Sequence, residues 1–141
     1  MVVPLTKELI NRYLNEMIEM SSQLHGDYWA AEHYLSELNK KWDLSFALME
    51  KNEMLGFMIV SDKDVSYHLH RIVIRKEQIG KGYGKILLER LINDAKTALK
   101  NAVTLKVHPA NDVAINLYEK YGFKKVATDG ENYSYRLDLA I

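Results

Sequence analysis

Gly80, Gly82 and Gly84 alternate with larger residues at the point where an apolar run gives way to a strong helical pattern. Glycine has no Cβ atom, so the backbone of this segment can approach a ligand closely. The first turn of the following helix adds N–H groups without helical acceptors and a partial positive charge. These residue types in this order predict a site for a phosphate or pyrophosphate group.

The spacing of the glycines argues against two known kinds of phosphate-binding loop. A P-loop has Ser or Thr after its lysine, whereas Lys85 is followed by Ile86. A dinucleotide-binding fold places two residues between its second and third glycines, whereas only Tyr83 separates Gly82 from Gly84. The spacing therefore favours a pyrophosphate loop of another kind.

The hydrophobic pattern predicts the elements that must position this loop. Helical periodicity predicts helices at about 7–24, 28–38, 86–99 and 112–121. Short apolar or alternating runs predict strands at about 44–50, 53–61, 65–75, 102–107, 123–127 and 133–139. This order predicts a mixed α/β sheet with helices on its faces.

The third predicted strand changes its pattern along its length. Val65, Tyr67 and Leu69 alternate with polar residues, and then residues 72–74 are apolar without alternation. Such a change predicts either a fully buried end of the strand or a β-bulge that resets its register.

Composition sets limits on the class of protein. The 141 residues are enough for one domain, and the absence of cysteine excludes disulfides, thiolate metal ligands and a cysteine nucleophile. Nineteen basic and nineteen acidic side chains balance, so no nucleic-acid partner is expected. No apolar run approaches the roughly 20 residues of a membrane span, and residues 1–8 lack the apolar core of a secretory signal. A cytoplasmic protein without a membrane partner is expected.

A second block of residues matches a known pattern independently of the loop. The block resembles Asn-x-x-Ala-x-x-Leu-Tyr-x-x-x-Gly-Phe of the GNAT acetyltransferases, and the matching residues are Asn111, Ala114, Leu117, Tyr118, Gly122 and Phe123. The glycine loop resembles the pyrophosphate loop of the same superfamily, although Ile79 stands where that pattern has Gln or Arg. The resemblance implies a single α+β domain over 1–141, with a mostly antiparallel sheet of about six to seven strands and about four helices.

The resemblance also implies acetyl-CoA as acyl donor, with no metal. Backbone groups of β-strand residues would bind the pantetheine arm, amides of the loop would bind the pyrophosphate, and an asparagine would add a contact. The residues assigned to the cofactor in this way are Ile72, Val73, Ile74, Ile79, Gly80, Lys81, Gly82, Tyr83, Gly84, Lys85 and Asn111. The amide of Ile74 or of a near neighbour is the expected donor to the oxyanion of the tetrahedral intermediate.

Tyr118 is the expected general acid, because the tyrosine at this place in the family lies near the cofactor sulfur. Without the family pattern, Tyr118 would instead be interpreted as a core residue of an amphipathic helix, and Asn111 as that helix's N-cap. The general base is left open.

Four side chains are candidates for that base: His68, His70, Glu77 and His108. His70 ranks first because it shares a face with His68 and lies beside the run expected to contact pantetheine. A base made only of water also fits the resemblance.

The acceptor is expected to be the primary amine of a small molecule, attacked directly in a ternary complex of a monomer or homodimer. The alternatives are a protein N-terminal or lysine acetyltransferase and a non-catalytic acyl-CoA sensor. Lys106 stands where N-terminal acetyltransferases often have glutamate, which argues against that class. The acceptor cleft is expected to include residues 23–29, with His25, Asp27, Tyr28 and Trp29 as possible contacts.

Overall fold

A computed structural model of the chain describes residues 1–22 and 29–139. Its strands are β1 (Val2–Pro4), β2 (Phe46–Glu50), β3 (Glu53–Asp62), β4 (Ser66–Ile74), β5 (Ala102–Val107), β6 (Lys124–Asp129) and β7 (Asn132–Asp138). Its helices are α1 (Lys7–Ser21), α2 (Ala31–Leu35), α3 (Lys41–Leu44), α4 (Tyr83–Thr97) and α5 (Asp112–Lys120), with a 3₁₀ turn at Lys76–Gln78. None of the helices in these ranges is both long and apolar enough to cross a membrane.

The strands form one sheet in the order β1-β2-β3-β4-β5-β7-β6. All neighbouring pairs are antiparallel except β4 and β5, which are parallel. The predicted mixed, mostly antiparallel sheet flanked by helices is therefore confirmed. The parallel pair needs a crossover connection, which α4 supplies.

The element boundaries correct the sequence prediction in three places. Strand β1 was not predicted, because three residues that include Pro4 carry almost no periodicity. The predicted strand at 44–50 begins two residues late, at Phe46, because Leu44 ends the short helix α3. The predicted helix at 28–38 is reduced to Ala31–Leu35 within the described residues.

Each face of the sheet carries its own core. On one face, Leu87 and Leu91 of α4 pack with Leu69 and Leu105 of the parallel strands. The other face holds a second cluster, which includes Ile10, Met17, Tyr34, Phe57, Ile59 and Val73. The sheet is therefore held between α4 and α5 on one side and α1 and α2 on the other.

Strand β4 contains the irregularity that its sequence pattern predicted. Ile59 pairs with Arg71 but Val60 pairs with Leu69, so His70 has no partner across β3 and forms a β-bulge. After this extra residue the two faces of the strand exchange, so that Ile72 joins the cluster around α4. The predicted bulge is confirmed, and His70 is the extra residue that forms it.

The parallel pair separates beyond the bulge. Its last paired residues are Leu69 and Leu105, and β4 then continues to Ile74 beside β3 alone. The amide of Arg75 donates to the Leu55 carbonyl of β3 at 2.8 Å. Because successive residues of a strand point their N–H groups to opposite edges, the N–H groups of Ile72 and Ile74 face the gap.

Candidate functional site

The gap between β4 and β5 opens into a cavity of about 1020 Å³, here called the first cavity. Its wall is built from the end of β4, the glycine loop, the first turn of α4 and one side of α5. Every residue that the sequence assigned to the cofactor lines it, except Lys81. The Lys81 ammonium instead donates to Gln78 Oε1 at 3.0 Å on the exposed surface.

The start of α4 presents its amides to this cavity. Gly82 is the N-cap residue and has φ +86°, a left-handed conformation that favours glycine, and Gly80 has φ +89°. The first helical hydrogen bond runs from the Ile86 amide to the Gly82 carbonyl at 3.1 Å. The amides before Ile86 in this turn therefore have no helical acceptor and suit an anionic group.

A second cavity of about 220 Å³ meets the first, and Ile72 and Asn111 line both. Both predicted catalytic residues, Tyr118 and His70, lie in the wall of this second cavity and not of the first. The structure thus brings a large cavity and a small polar cavity to a shared boundary. Such a junction is what a transfer between two bound molecules requires.

Tyr118 projects from α5 and is buried, with its ring 5.7 Å from that of Phe123. Burial raises the pKa of its phenol well above the usual value near 10, so the phenol stays protonated at neutral pH. Within residues 1–22 and 29–139 no group accepts a hydrogen bond from it. The hydroxyl of this buried residue is thus a donor available to a ligand.

His68 and His70 pack edge to face, with ring centroids 4.8 Å apart. His70 Nε2 lies 2.7 Å from the buried Ser61 hydroxyl, and His68 Nδ1 lies 2.8 Å from Thr104 Oγ1. Burial lowers the pKa of each imidazole to about 4, with smaller contributions from nearby positive charge. Both rings are neutral at pH 7, and both are weak bases.

The two remaining candidates for the general base differ in their position relative to the cavities. Glu77 lies in the 3₁₀ turn and lines neither cavity. His108 lines the second cavity, and its Nδ1 accepts the Ala110 amide at 3.1 Å. Glu77 is therefore outside both cavities, whereas His108 stays a candidate base in the wall of the second cavity.

Asn111 fulfils the structural role that its type predicts, because its side chain caps α5 by accepting the Ala114 amide at 3.4 Å. Since Asn111 lines both cavities, this cap also fixes the angle at which α5 meets the junction. The N-cap prediction is confirmed, and a cofactor contact remains a prediction.

Several lining residues were missed by the sequence interpretation. Arg71 and Asn132 lie in the wall of the second cavity, and Lys120 of α5 lies in the wall of the first. Only Lys120 had a usable signal, since it follows Asn116 and Leu117 at helical spacing. Of the predicted acceptor loop, Trp29 lines the second cavity, whereas residues 23–28 lie outside the described residues.

The described part of the chain places no group of three or more His, Asp and Glu side chains where they could hold a metal ion.

A mostly antiparallel sheet that opens between two parallel strands, with a glycine loop and a helix start at the opening, defines the GNAT type of acyltransferase domain. The family model described as "Acetyltransferase (GNAT) family" matches residues 8–123, and the chain belongs to this family.

Two solved structures and one curated relative illustrate the similarity. The chain is 30% identical over 110 residues to the [ribosomal protein bS18]-alanine N-acetyltransferase of Haemophilus influenzae, covering 78% of this chain and 74% of that protein. The ribosomal-protein-S18-alanine N-acetyltransferase of Escherichia coli superposes with a TM-score of 0.83 at 20% identity, covering 100% and 94% of the two chains. The Paia N-acetyltransferase of Thermoplasma acidophilum, solved with coenzyme A, gives 0.80 at 19% identity over 99% and 98%.

These comparisons bear on the expected acceptor. The curated relative is named for a protein substrate, so the comparisons favour the protein alternative over the small-molecule amine expected from the sequence. The chain is an N-acetyltransferase by family.

Proposed function

We propose that this protein transfers the acetyl group of acetyl-CoA to the α-amino group of a protein or peptide N-terminus. The observation that carries the proposal is the junction at Ile72 and Asn111, where the first cavity meets the second. The protein acceptor rests in addition on the relatives named for alanine N-acetylation, which we weigh above the contrary indication from Lys106.

The first cavity suits the cofactor in size and in chemistry. Its volume of about 1020 Å³ suits a large ligand. The space beside the α-carbons of Gly80 and Gly82 is open, since a Cβ atom at either would meet nothing within 4 Å, so a phosphate can approach the backbone there. The amides of Tyr83, Gly84 and Lys85 would bind the pyrophosphate. The strand edge at Ile72 and Ile74 would bind the amide groups of the pantetheine arm.

The bound cofactor supplies a thioester carbonyl for attack by the amine. The N–H of Ile74, or of Ile72, is the donor that we assign to the developing oxyanion, since each faces the gap without a strand partner. A fixed backbone donor of this kind is worth roughly 3 kcal/mol in the transition state.

Tyr118 would donate its phenolic hydrogen to the departing thiolate. The pKa of a free thiol is near 8.5, and the pKa of the buried Tyr118 is raised, so complete proton transfer from the phenol is unfavourable. Its contribution is therefore a hydrogen bond that strengthens as charge develops on the sulfur.

His70 is better suited to hold the acceptor than to deprotonate it. With a pKa of about 4, its imidazole cannot keep the proton of an ammonium group. We therefore assign His70 and His68 to hydrogen bonding in the wall of the second cavity, and assign removal of the amine proton to solvent there.

The test is acetyl transfer to peptides, followed by the release of free thiol and by mass spectrometry of the peptide. Three acceptors are compared at equal concentration: a peptide with a free N-terminus, the same peptide N-terminally blocked but with an internal lysine, and a panel of polyamines and amino sugars. The proposal predicts acetylation of the first alone. Transfer to the blocked peptide would point to a lysine acetyltransferase, and transfer only to the small amines would refute the proposal.

A further inference from the structure

The charged side chains in the wall of the second cavity are all cationic within the described residues. Lys106 and Arg71 contribute cationic side chains, and the histidines and asparagines contribute neutral polar groups. None of the lining residues in the described ranges carries a carboxylate. An acceptor whose own groups near the amine are cationic would therefore meet like charge there.

Lys106 is paired in a way that allows it to change partners. Its ammonium lies 2.5 Å from Asp129 Oδ2 at the turn between β6 and β7, and the two side chains are 51% and 59% exposed. Exposed ion pairs add little net stability, because water screens them and two flexible side chains are immobilised. A carboxylate on a bound ligand can thus replace Asp129 at small cost.

Arg71 is a fixed cation on the same wall. It follows the His70 bulge on β4 and is buried, and its guanidinium lies 4.7 Å from the centroid of the Trp29 ring. A guanidinium stays charged at every accessible pH, and this distance is that of a cation–π contact with the indole. Arg71 is consequently a permanently charged part of this wall.

Building on the proposed function, we infer that the preferred acceptor is a protein N-terminus with Asp or Glu at its second position, and that Lys106 binds this carboxylate. The α-amine of such an acceptor would lie at the junction near Ile72 and Asn111, and its second residue would extend along the wall toward Lys106. The cavity would then select by charge, since a lysine at the second position meets repulsion from the same group.

The experiment compares three peptides of equal length that begin Ala-Glu, Ala-Gln and Ala-Lys and are otherwise identical. For the full chain, kcat/KM should be about tenfold higher for Ala-Glu than for Ala-Lys, with Ala-Gln between them. Lys106→Gln should reduce this ratio to within about twofold, and Lys106→Glu should invert it. The exposed Lys124→Gln, on β6, is the matched control and should retain the ratio of the unaltered protein.

Asp129→Asn provides a test that does not remove the lysine. Because Asp129 competes with the ligand carboxylate for Lys106, this variant should increase the Ala-Glu to Ala-Lys ratio by about two- to fivefold. A purely structural role for the Lys106–Asp129 pair would lower kcat/KM for all three peptides equally, and that result would overturn the inference.

The failure of this inference can be told apart from failure of the proposed function. Equal rates on all three peptides, or a preference for Ala-Lys, would overturn the acidic specificity while leaving N-terminal acetylation established. No transfer to any peptide, with thiol release on small amines, would overturn both. If Lys106→Glu does not fold by circular dichroism, Lys106→Gln and Asp129→Asn still decide the question.

Discussion

Gly56 on β3 lies so close to Val73 on β4 that a Cβ atom at position 56 would be 2.7 Å from the Val73 carbonyl oxygen. The same atom would also be 2.7 Å from Ile74 Cδ1. The carbonyl belongs to the backbone and cannot rotate away, so only glycine allows β3 to support this part of β4. This part of β4 has β3 on one edge and borders the first cavity on its other edge.

Gly56→Ala should therefore affect both stability and cofactor binding. Overpacking against backbone is expected to lower the free energy of unfolding by about 1–3 kcal/mol. Displacement of Val73 and Ile74 should weaken coenzyme A binding as well, since these residues line the first cavity. Urea unfolding and isothermal titration calorimetry measure the two effects, with Thr128→Ala on the exposed strand β6 as the control. A variant of unchanged stability and affinity would contradict the contact.

The glycine loop can be tested with a pair of matched substitutions. Gly82 and Gly130 both have positive φ, at +86° and +61°, and a Cβ atom at either would meet nothing within 4 Å. Alanine should thus cost a similar amount at both positions, about 1–2 kcal/mol, because of backbone strain alone. Only Gly82→Ala should weaken binding of coenzyme A, by about tenfold, because only Gly82 positions the amides of α4. Equal affinity in the two variants would remove the loop from cofactor binding.

Tyr118→Phe isolates the phenolic hydroxyl. The ring stays in place against Phe123, so the variant should fold and should bind coenzyme A within about twofold of the unaltered protein. Loss of the hydrogen bond to the leaving thiolate should lower kcat by about a hundredfold. Tyr135→Phe is the matched control: its buried hydroxyl donates to Glu119 at 2.9 Å, and it lines neither cavity. Unchanged turnover in Tyr118→Phe would exclude Tyr118 from the reaction.

The first cavity could largely be predicted from the sequence because its residues come from contiguous segments. The glycine loop is a short run whose residue types impose a local conformation, and the end of β4 was assigned to the cofactor through the resemblance to the GNAT family. The β-bulge was one of two alternatives predicted by the change of pattern within this strand, and the structure places it at His70. The conformation of a loop or of a bulge depends mainly on residues adjacent in the chain, so a local sequence pattern can predict it.

The second cavity could not be predicted in the same way. Trp29 was expected in the acceptor cleft, but Arg71, Lys106 and Asn132 come from distant parts of the chain, and only the sheet order brings them together. Their separate types gave no periodicity to detect. The partner of Lys106 was also hidden, because Asp129 becomes its neighbour only when β7 pairs with β5 and β6 follows β7.

The two histidines of the second cavity predict how stability depends on pH. Their folded-state pKa of about 4 lies below the ordinary value of 6.5. Between pH 6.5 and pH 4 the unfolded chain therefore binds protons that the folded chain does not bind. Stability is fully retained above pH 6.5 and falls as the pH decreases through this range, by about 1 kcal/mol per pH unit for each histidine.

Replacement of both rings should flatten this profile. The double variant His68→Gln and His70→Gln keeps polar side chains beside Thr104 and Ser61 but cannot take up a proton in this range. Urea unfolding at intervals from pH 7 to pH 4.5 should show its stability declining less steeply than that of the unaltered protein, because the carboxylates titrate alike in both. His33→Gln, on α2 and exposed, is the control and should follow the unaltered protein. If the double variant instead ran parallel to the unaltered protein, the two imidazoles would be able to charge within the folded state, and His70 would regain its place as a candidate base.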